Sequence, residues 1–291
     1  MKPPPFRYAA PTSVAEVLSL LAEHAEDEPR VLAGGQSLVP LMNFRLAQPG
    51  FLIDLRLVDV LTGVRTEGDV LVIGAMARQS TVERSPEVAL MAPLLAEAIG
   101  YVAHPPIRNS GTVGGSLAHA DPAAELPAVA VALDAELVVA GPGGSRTIPA
   151  AEFFLGPFTT ALRPGEILLE LRVPRCGSAG GHAFVEFAQT HGNFALVGVA
   201  AAIELERGVV ARSAVALCGV AATPVRASAA ERALAGTTAD AGTITAAVDA
   251  AATELSPAPD LHGGTETRTD IARSYLRRGI ELALSRAKDS R

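Results

Sequence analysis

Two glycine-rich motifs carry the chemistry that this sequence offers. The first lies in residues 31–38 (VLAGGQSL), where three apolar residues run into Gly34 and Gly35 and then into Gln36 and Ser37. The pattern predicts a strand, a tight turn and the start of a helix. Glycine has no Cβ, so such a turn can adopt positive φ and lets another molecule approach the backbone closely. Gln36 and Ser37 would be neutral donors at a helix N-terminus, whose free N–H groups favour an anion.

The second motif repeats this combination at residues 111–116 (GTVGGS). Either motif alone is also an ordinary turn sequence, which needs no ligand. Two turns that both carry paired glycines and a hydroxyl side chain predict a cradle for a pyrophosphate. A third stretch, GPGGSR at residues 141–146, lacks the Gly-Lys-Ser/Thr ending of a phosphate loop and lies between two strand-like runs. We therefore interpret it as a hairpin turn.

Three residues that could contact a nucleotide follow the second motif: His119, Asp121 and Glu125. Residues 123–133 read as a helix, and if the helix includes residue 121, the two carboxylates share one helical face. A carboxylate beside a nucleotide commonly accepts hydrogen bonds from ribose hydroxyls. Glu125 suits this role better, because Asp121 precedes a proline and can cap the helix. Both carboxylates can equally be solvated, and His119 is either a structural histidine or a cofactor contact.

Composition argues against several classes of function. The chain of 291 residues has a net charge of −7 and contains no basic run, which argues against a nucleic-acid partner. An anionic cofactor stays compatible with this charge, because backbone amides in a turn need no net positive charge. The N-terminus has no apolar signal core, and no apolar run is long enough to span a membrane.

Metal sites and common catalytic constellations are not indicated either. Cys176 and Cys218 cannot form a cysteine-rich zinc site or ligate an iron–sulfur cluster by themselves, and two ordinary thiols in a reducing cytoplasm are a better interpretation than a disulfide. No histidine is paired with a second ligand at metal spacing; the six lie at positions 24, 104, 119, 182, 191 and 262. Because no His-Glu-x-x-His, Gly-x-Ser-x-Gly or Walker sequence occurs, we predict neither a metal nor a catalytic residue.

The elements that must position the motifs form a larger N-terminal part and a smaller C-terminal part. Residues 1–56 predict a small β-α-β lobe, with Ser13 and Glu16 as a capping box and the first glycine turn at its edge. Residues 57–176 predict a second lobe of strands and short helices, with a proline-bracketed loop at residues 104–106. A Gly/Ser/Ala-rich stretch at residues 175–181 predicts a domain boundary.

The C-terminal domain, residues 177–291, is predicted to be α+β. Three strand-like runs separated by short turns suggest an antiparallel sheet. Helical patterns follow at residues 224–234, 244–255 and 269–287.

The motifs resemble those of a known family. Residues 33–55 resemble the first flavin-binding motif of the FAD-binding medium subunits in the carbon monoxide dehydrogenase and xanthine dehydrogenase family of molybdenum hydroxylases. Residues 107–127 are similar to the second motif of that family, and residues 191–200 to the start of its C-terminal domain. The resemblance covers nearly the whole chain. It implies an α+β fold, with a two-lobed FAD-binding domain of the vanillyl-alcohol oxidase and para-cresol methylhydroxylase type followed by a C-terminal α+β domain with an antiparallel sheet.

The resemblance also implies which residues contact FAD. The first motif of the family wraps the pyrophosphate, which here falls on Ala33, Gly34, Gly35, Gln36 and Ser37, flanked by Val31, Leu32 and Leu38. The second motif contacts it at Gly111, Thr112, Gly114, Gly115 and Ser116, with His119 beside them. The ribose-binding carboxylate of the family falls on Glu125, and an apolar contact falls on Leu168.

Phe194 falls where some members of the family place a tyrosine in front of the isoalloxazine ring. Phenylalanine keeps the stacking surface and loses the hydroxyl. From the residues alone, Phe194 begins an apolar strand and is more often a core residue than a flavin contact. Xanthine dehydrogenases have a lysine close to the position of Ala188, and its absence argues against an NAD site like theirs.

The function implied by the resemblance is that of an FAD-dependent electron-transfer subunit. It would take electrons from an iron–sulfur small subunit, beside a large subunit with the molybdenum cofactor, in a dimer of heterotrimers, and pass them to an external acceptor. Such transfer needs no catalytic acid or base from the protein. Two alternatives stay open: a stand-alone flavoprotein oxidase of the same fold, and a module that has kept the fold and lost FAD. The first needs a base of its own, and intact glycines in both motifs disfavour the second.

Overall fold

The computed structural model describes residues 2–176, 180–259, 261 and 263–289. His262 and residues 177–179, at the centre of the predicted domain boundary, lie outside this range. Across the helices that are described, none combines the length and apolar character needed to cross a membrane.

The N-terminal lobe is the predicted β-α-β unit. Its elements are β1 (Arg7–Ala9), α1 (Val14–Glu23), β2 (Pro29–Leu32), α2 (Leu38–Asn43) and β3 (Phe51–Asp54). β1 and β2 both pair with β3 in parallel. The Ser13 hydroxyl caps α1 by accepting the N–H of Glu16 at 3.2 Å, while the Glu16 carboxylate accepts the N–H of Thr12 at 2.7 Å. The capping box is thus confirmed, although the Glu16 carboxylate accepts the N–H of Thr12 and not that of the N-cap residue Ser13.

The second lobe contains an antiparallel sheet covered by short helices. Its elements, in chain order, are β4 (Val64–Glu67), β5 (Val70–Gly74), α3 (Gln79–Glu83), α4 (Pro86–Met91), α5 (Pro93–Ile99), α6 (Pro105–Ser110), α7 (Val113–His119), α8 (Glu125–Ala132), β6 (Glu136–Gly141), β7 (Gly144–Pro149), α9 (Ala150–Phe153), β8 (Phe154–Gly156), β9 (Thr159–Thr160) and β10 (Ile167–Pro174). The strand order is β4-β5-β10-β6-β7. β6 and β7 form the hairpin predicted around residues 141–146.

Prolines begin helices in this lobe. Pro86 and Pro93 are the first residues of α4 and α5. Pro105 likewise begins α6, so the predicted loop at residues 104–106 is wrong. The physical reason is that proline suits the first helical position, where its fixed φ is helical and its missing N–H would have had no helical acceptor.

The C-terminal domain has a sheet of order β11-β12-β13-β14 with helices packed on it. Its elements are β11 (Gly180–Phe187), β12 (Val197–Glu206), β13 (Val209–Cys218), β14 (Val225–Arg226), α10 (Ser228–Leu234), α11 (Ala241–Ala252) and α12 (Thr265–Asp289). The antiparallel sheet and the α+β class are confirmed. The helix predicted at residues 224–234 is wrong in its first part, because β14 pairs there with β13 and extends the sheet.

Candidate functional site

The two glycine motifs lie directly against each other. A Cβ built on Gly34 would be 2.4 Å from the carbonyl oxygen of Ser110 and 2.8 Å from the Cα of Gly111. In the other direction, a Cβ built on Gly115 would be 3.3 Å from the Cβ of Ala33. Contacts below 3.0 Å do not occur for real Cβ atoms. The backbones of the two motifs therefore meet at a distance that only glycine permits at position 34.

The first motif presents a run of free backbone N–H groups. Within the described residues, no acceptor receives the N–H groups of residues 34–38. Gly35 has a φ of 74°, the left-handed conformation expected for this turn. The Gln36 side chain donates to the Gly34 carbonyl at 3.0 Å and so is used inside the motif, while Ser37 is exposed. Successive free N–H groups in a turn form an anion-binding concavity.

The second motif begins a helix and is not the turn that we predicted. Thr112 is the N-cap of α7, and its hydroxyl accepts the N–H of Gly115 at 3.0 Å. The other N–H groups of the first turn donate to the backbone carbonyls of Ala77, Ala75 and Thr112. All four amides of this turn are therefore bonded within the protein.

Packing, and not positive φ, explains the paired glycines of the second motif. A Cβ on Gly114 would be 2.5 Å from the Cβ of Ala75, and a Cβ on Gly115 would be 2.7 Å from the Thr112 hydroxyl oxygen. Neither glycine has a positive φ. The two motifs thus contribute different things: the first contributes backbone donors, and the second contributes a surface that can be approached closely.

Arg78 adds a positive charge that the sequence analysis did not identify. Its guanidinium donates to the carbonyl oxygen of Ser110, the atom that lies nearest to the position of Gly34. The residue also forms an isolated β-bridge with Thr112. In the sequence, Arg78 is one of many scattered arginines, and only its place just after β5 could have indicated a role at the end of a strand.

Most of the other predicted contacts surround this pair of motifs. Leu32 and Leu38 of the first motif pack with Met42 and Leu52, and Val31 packs against the core of the N-terminal lobe. Leu168 is buried in β10, against which α7 packs. His119, at the end of α7, has its ring 5.1 Å from that of Phe158, and burial lowers its pKa.

Glu125 is a buried carboxyl at the first position of α8. It is 7% exposed. No other residue that the structure describes donates a hydrogen bond to its carboxylate. Burial raises its pKa to about 7. A buried carboxyl with free acceptor capacity is suited to a ligand that carries hydroxyl groups.

Asp121 does not share a helical face with Glu125, so that prediction is wrong. It lies before α8, and its carboxylate accepts the N–H of Ala123 at 2.9 Å in a local turn. The N-cap of α8 is Ala124 and not Asp121. An aspartate that bonds to the backbone two residues ahead forms a turn in place of a helix, which accounts for the difference.

Phe194 is 74% exposed and lies in the segment between β11 and β12. The interpretation as a core residue at the start of a strand is therefore wrong. β12 begins three positions later at Val197, and Ala195 and Leu196 are the buried residues at this point. Gly192 has a φ of 85°, so the chain turns before the strand and leaves the Phe194 ring at the surface.

Comparison with known proteins identifies the family. Residues 4–176 match the family model described as the FAD binding domain in molybdopterin dehydrogenase, and residues 182–283 match the CO dehydrogenase flavoprotein C-terminal domain. The chain belongs to this family of flavoprotein subunits. The recognised family, the fold class and FAD as the cofactor are thereby confirmed.

Individual relatives match this flavoprotein subunit over nearly their whole length. It is 40% identical to the 6-hydroxypseudooxynicotine dehydrogenase complex subunit alpha of Paenarthrobacter nicotinovorans, over 100% of this chain and 98% of the relative. It superposes on a chain of the carbon monoxide dehydrogenase of Hydrogenophaga pseudoflava with a TM-score of 0.96 and 41% identity, over 98% and 99% of the two chains. For quinoline 2-oxidoreductase of Pseudomonas putida 86, the TM-score is 0.93 at 36% identity, over 100% and 99%.

Arg108 holds α6 in place immediately before the second motif of the flavoprotein subunit. It is 9% exposed, and its guanidinium forms two bonds of 2.9 and 3.1 Å with the Glu83 carboxylate and one of 3.0 Å with the Val102 carbonyl. We expect Arg108→Met to lower the free energy of unfolding by about 3 kcal/mol, because Glu83 then loses its partner in a partly buried site. Urea unfolding measures this change.

A matched control is available on the neighbouring helix end. Arg84 is exposed, so Arg84→Met should change the free energy of unfolding by less than about 0.5 kcal/mol. Equal effects of the two substitutions would show that the Arg108 bonds do not stabilise α6.

Proposed function

We propose that this chain holds the diphosphate of FAD between its two glycine motifs and works as the electron-transfer subunit of a molybdenum-containing dehydrogenase complex. The observation that carries the proposal is the run of free N–H groups at residues 34–38. The backbone of the second motif lies against this run, and its glycines have no side chains there. A diphosphate needs such donors and such close approach. The guanidinium of Arg78 lies at the same place and supplies positive charge.

The residues beyond the diphosphate fit the rest of the cofactor. Glu125 is buried with free acceptor capacity, as a partner for ribose or ribityl hydroxyls must be. The exposed ring of Phe194 offers an apolar surface of the kind that stacks on an isoalloxazine ring. Ser116 and His119 both lie in α7, the helix that the second motif begins. We propose all the residues of the sequence prediction as contacts, with Arg78 added to them.

The chain's own residues bind and orient the cofactor, and they supply no acid or base for it. Bound FAD supplies both one-electron and two-electron chemistry, which suits a link between a partner that passes single electrons and an acceptor that takes two. Within the described residues, no group of three or more His, Cys, Asp or Glu side chains is placed to hold a metal. We therefore propose that an iron–sulfur subunit and a molybdenum-cofactor subunit are separate chains, assembled with this one as a dimer of heterotrimers.

A reducing, cytoplasmic location is part of the same proposal. Cys176 and Cys218 are both free thiols, and Cys218 is buried. Burial also raises the pKa of both thiols, so each is held in its unreactive protonated form.

We expect the purified chain of 291 residues to bind FAD in the absence of any partner. It should show the absorption bands of a bound flavin and release FAD, identified by chromatography, when it is denatured. A colourless protein that takes up no added FAD would contradict the proposal. Adding candidate small substrates to the isolated chain tests the alternative of a stand-alone oxidase, because only an oxidase would bleach its flavin without partner subunits.

A further inference from the structure

Glu186 is a carboxyl to which the proposed FAD contacts assign no role. It lies in β11, whose side chains alternate between two cores. Ala183 and Val185 pack against the helices of the C-terminal domain, whereas Phe184 packs into the core of the second lobe. Because successive strand residues point to opposite faces, Glu186 lies on the face of Phe184, toward the FAD-binding domain. Its Oε2 atom is buried and has no hydrogen-bond partner among the residues that the structure describes.

The end of β11 lies beside the segment that leads into the second glycine motif. After the strand the chain turns at Gly192, where a Cβ would be 2.3 Å from the His104 imidazole. His104 is the N-cap residue of α6, which runs directly into Gly111. The Tyr101 ring packs 5.2 Å from that of Phe184 on the same face. These contacts hold the face that carries Glu186 against the stretch that carries the second motif.

Glu125 reaches the same region from the other end of that stretch. It begins α8, which follows α7 and packs on β12 and β13 of the C-terminal sheet. Burial, and then the charge of Glu125, raise the pKa of Glu186 to about 8. Both carboxyls also raise the pKa of the buried Cys218 thiol in β13, after the larger effect of its burial. The buried Glu125 carboxyl and the half-buried Glu186 carboxyl therefore lie in one region between α8 and the sheet.

We infer that Glu186 hydrogen-bonds to the ribityl–isoalloxazine half of FAD, across from Glu125. The inference rests on the proposed function, since it takes the diphosphate as held by the glycine motifs. A buried carboxyl oxygen without a partner costs free energy in the protein alone. The flavin half of FAD carries matching groups: the ribityl hydroxyls and the ring N–H donate, and the ring carbonyls accept a hydrogen bond from a protonated carboxyl. The cofactor thus supplies the partner that Glu186 otherwise lacks.

Substitution of Glu186 by leucine distinguishes a cofactor contact from a structural residue. We expect Glu186→Leu to raise the dissociation constant of FAD about tenfold, because a hydrogen bond to a carboxyl in a buried site is lost. We also expect the FAD-free variant to melt at a higher temperature than the FAD-free wild type, because a buried carboxyl without a partner has been removed. Fluorescence titration with FAD and thermal unfolding of the FAD-free protein measure the two effects.

Two further variants complete the experiment. Glu186→Gln keeps a side chain that can donate and accept, so it should bind FAD within about threefold of the wild type. Glu204 lies on the neighbouring strand, in register with Gly180 at the opposite end of β11. Glu204→Leu should therefore leave the FAD dissociation constant unchanged.

Each outcome bears on the inference. An unchanged FAD dissociation constant in Glu186→Leu would overturn it and leave the proposed function intact. A lower melting temperature of the FAD-free Glu186→Leu protein would also overturn it, because Glu186 would then support the fold by itself. A wild-type chain that bound no FAD would overturn the proposed function, and this inference with it.

Discussion

Alanine at position 34 should abolish the retention of FAD while the chain still folds. The added Cβ would lie 2.4 Å from the Ser110 carbonyl oxygen and 2.8 Å from the Gly111 Cα. Both neighbours are backbone atoms, so neither can rotate away as a side chain would. The two motifs must separate, which moves the free N–H groups of the first motif away from the second. We expect the FAD dissociation constant to rise at least about a hundredfold, since each tenfold step corresponds to only about 1.4 kcal/mol.

The flavin content of purified variants measures this effect, with circular dichroism as the check on folding. Gly143→Ala is the matched control, because a Cβ there meets nothing within 4 Å and φ is not positive. It should retain a full complement of FAD. Gly35→Val and Gly115→Val should both lose FAD, the first through its φ of 74° and the second through contact with the Thr112 hydroxyl at 2.7 Å. Normal flavin content in Gly34→Ala and Gly115→Val would show that the cradle has been misplaced.

The features that could be predicted from the sequence are those encoded locally. The turn at Gly35 and the cap at Ser13 depend on neighbouring residues, and both were predicted correctly. The antiparallel sheet of the C-terminal domain follows from short turns between apolar runs. The resemblance of two separated motifs to one family also pointed to both lobes of the site at once, and the family is confirmed.

The features that were missed depend on contacts between distant parts of the chain. Two amides of the second motif, those of Val113 and Gly114, donate to residues 77 and 75, so its glycines pack in a helix where the pattern alone indicates a turn. Arg78 reaches the site only because Ser110 is folded onto it from 32 positions away in the chain. In the sequence, Glu186 looks like an ordinary strand residue. Its proposed contact with FAD depends on which face of β11 meets the FAD-binding domain.

In the FAD-free protein, the contribution of Glu186 to stability should fall as the pH rises. Burial raises the pKa of Glu186 to about 8 from an ordinary value of 4.5. An acid with a higher pKa in the folded state binds its proton more tightly when folded. Its contribution to stability is complete below the unfolded pKa and is lost as the pH rises through the folded pKa. The expected window therefore runs from pH 4.5 to about 8.

The titratable groups that face Glu186 either add to its effect on stability or do not gain charge in this pH range. Glu125 faces it from α8 and titrates near pH 7, so it adds a loss of the same sign. Tyr101 and Cys218 also interact with it, and the pKa of each is raised above its ordinary value of 10.0 or 9.0. Neither of these two groups gains charge below pH 8. The charges of Arg278, Arg286 and Glu97 also act on Tyr101.

Comparison of wild type with Glu186→Gln isolates the contribution of Glu186. Glutamine has the shape of a protonated glutamate, so the two FAD-free proteins should melt at nearly the same temperature at pH 5. At pH 9 the variant should melt at least about 3 °C higher, which for a chain of this size corresponds to about 1 kcal/mol. Thermal unfolding across the pH range measures the difference, with Glu204→Gln as a control that should show no such trend. A difference that stayed constant from pH 5 to pH 9 would mean that Glu186 has an ordinary pKa, and hence that its carboxyl is solvated in the absence of FAD.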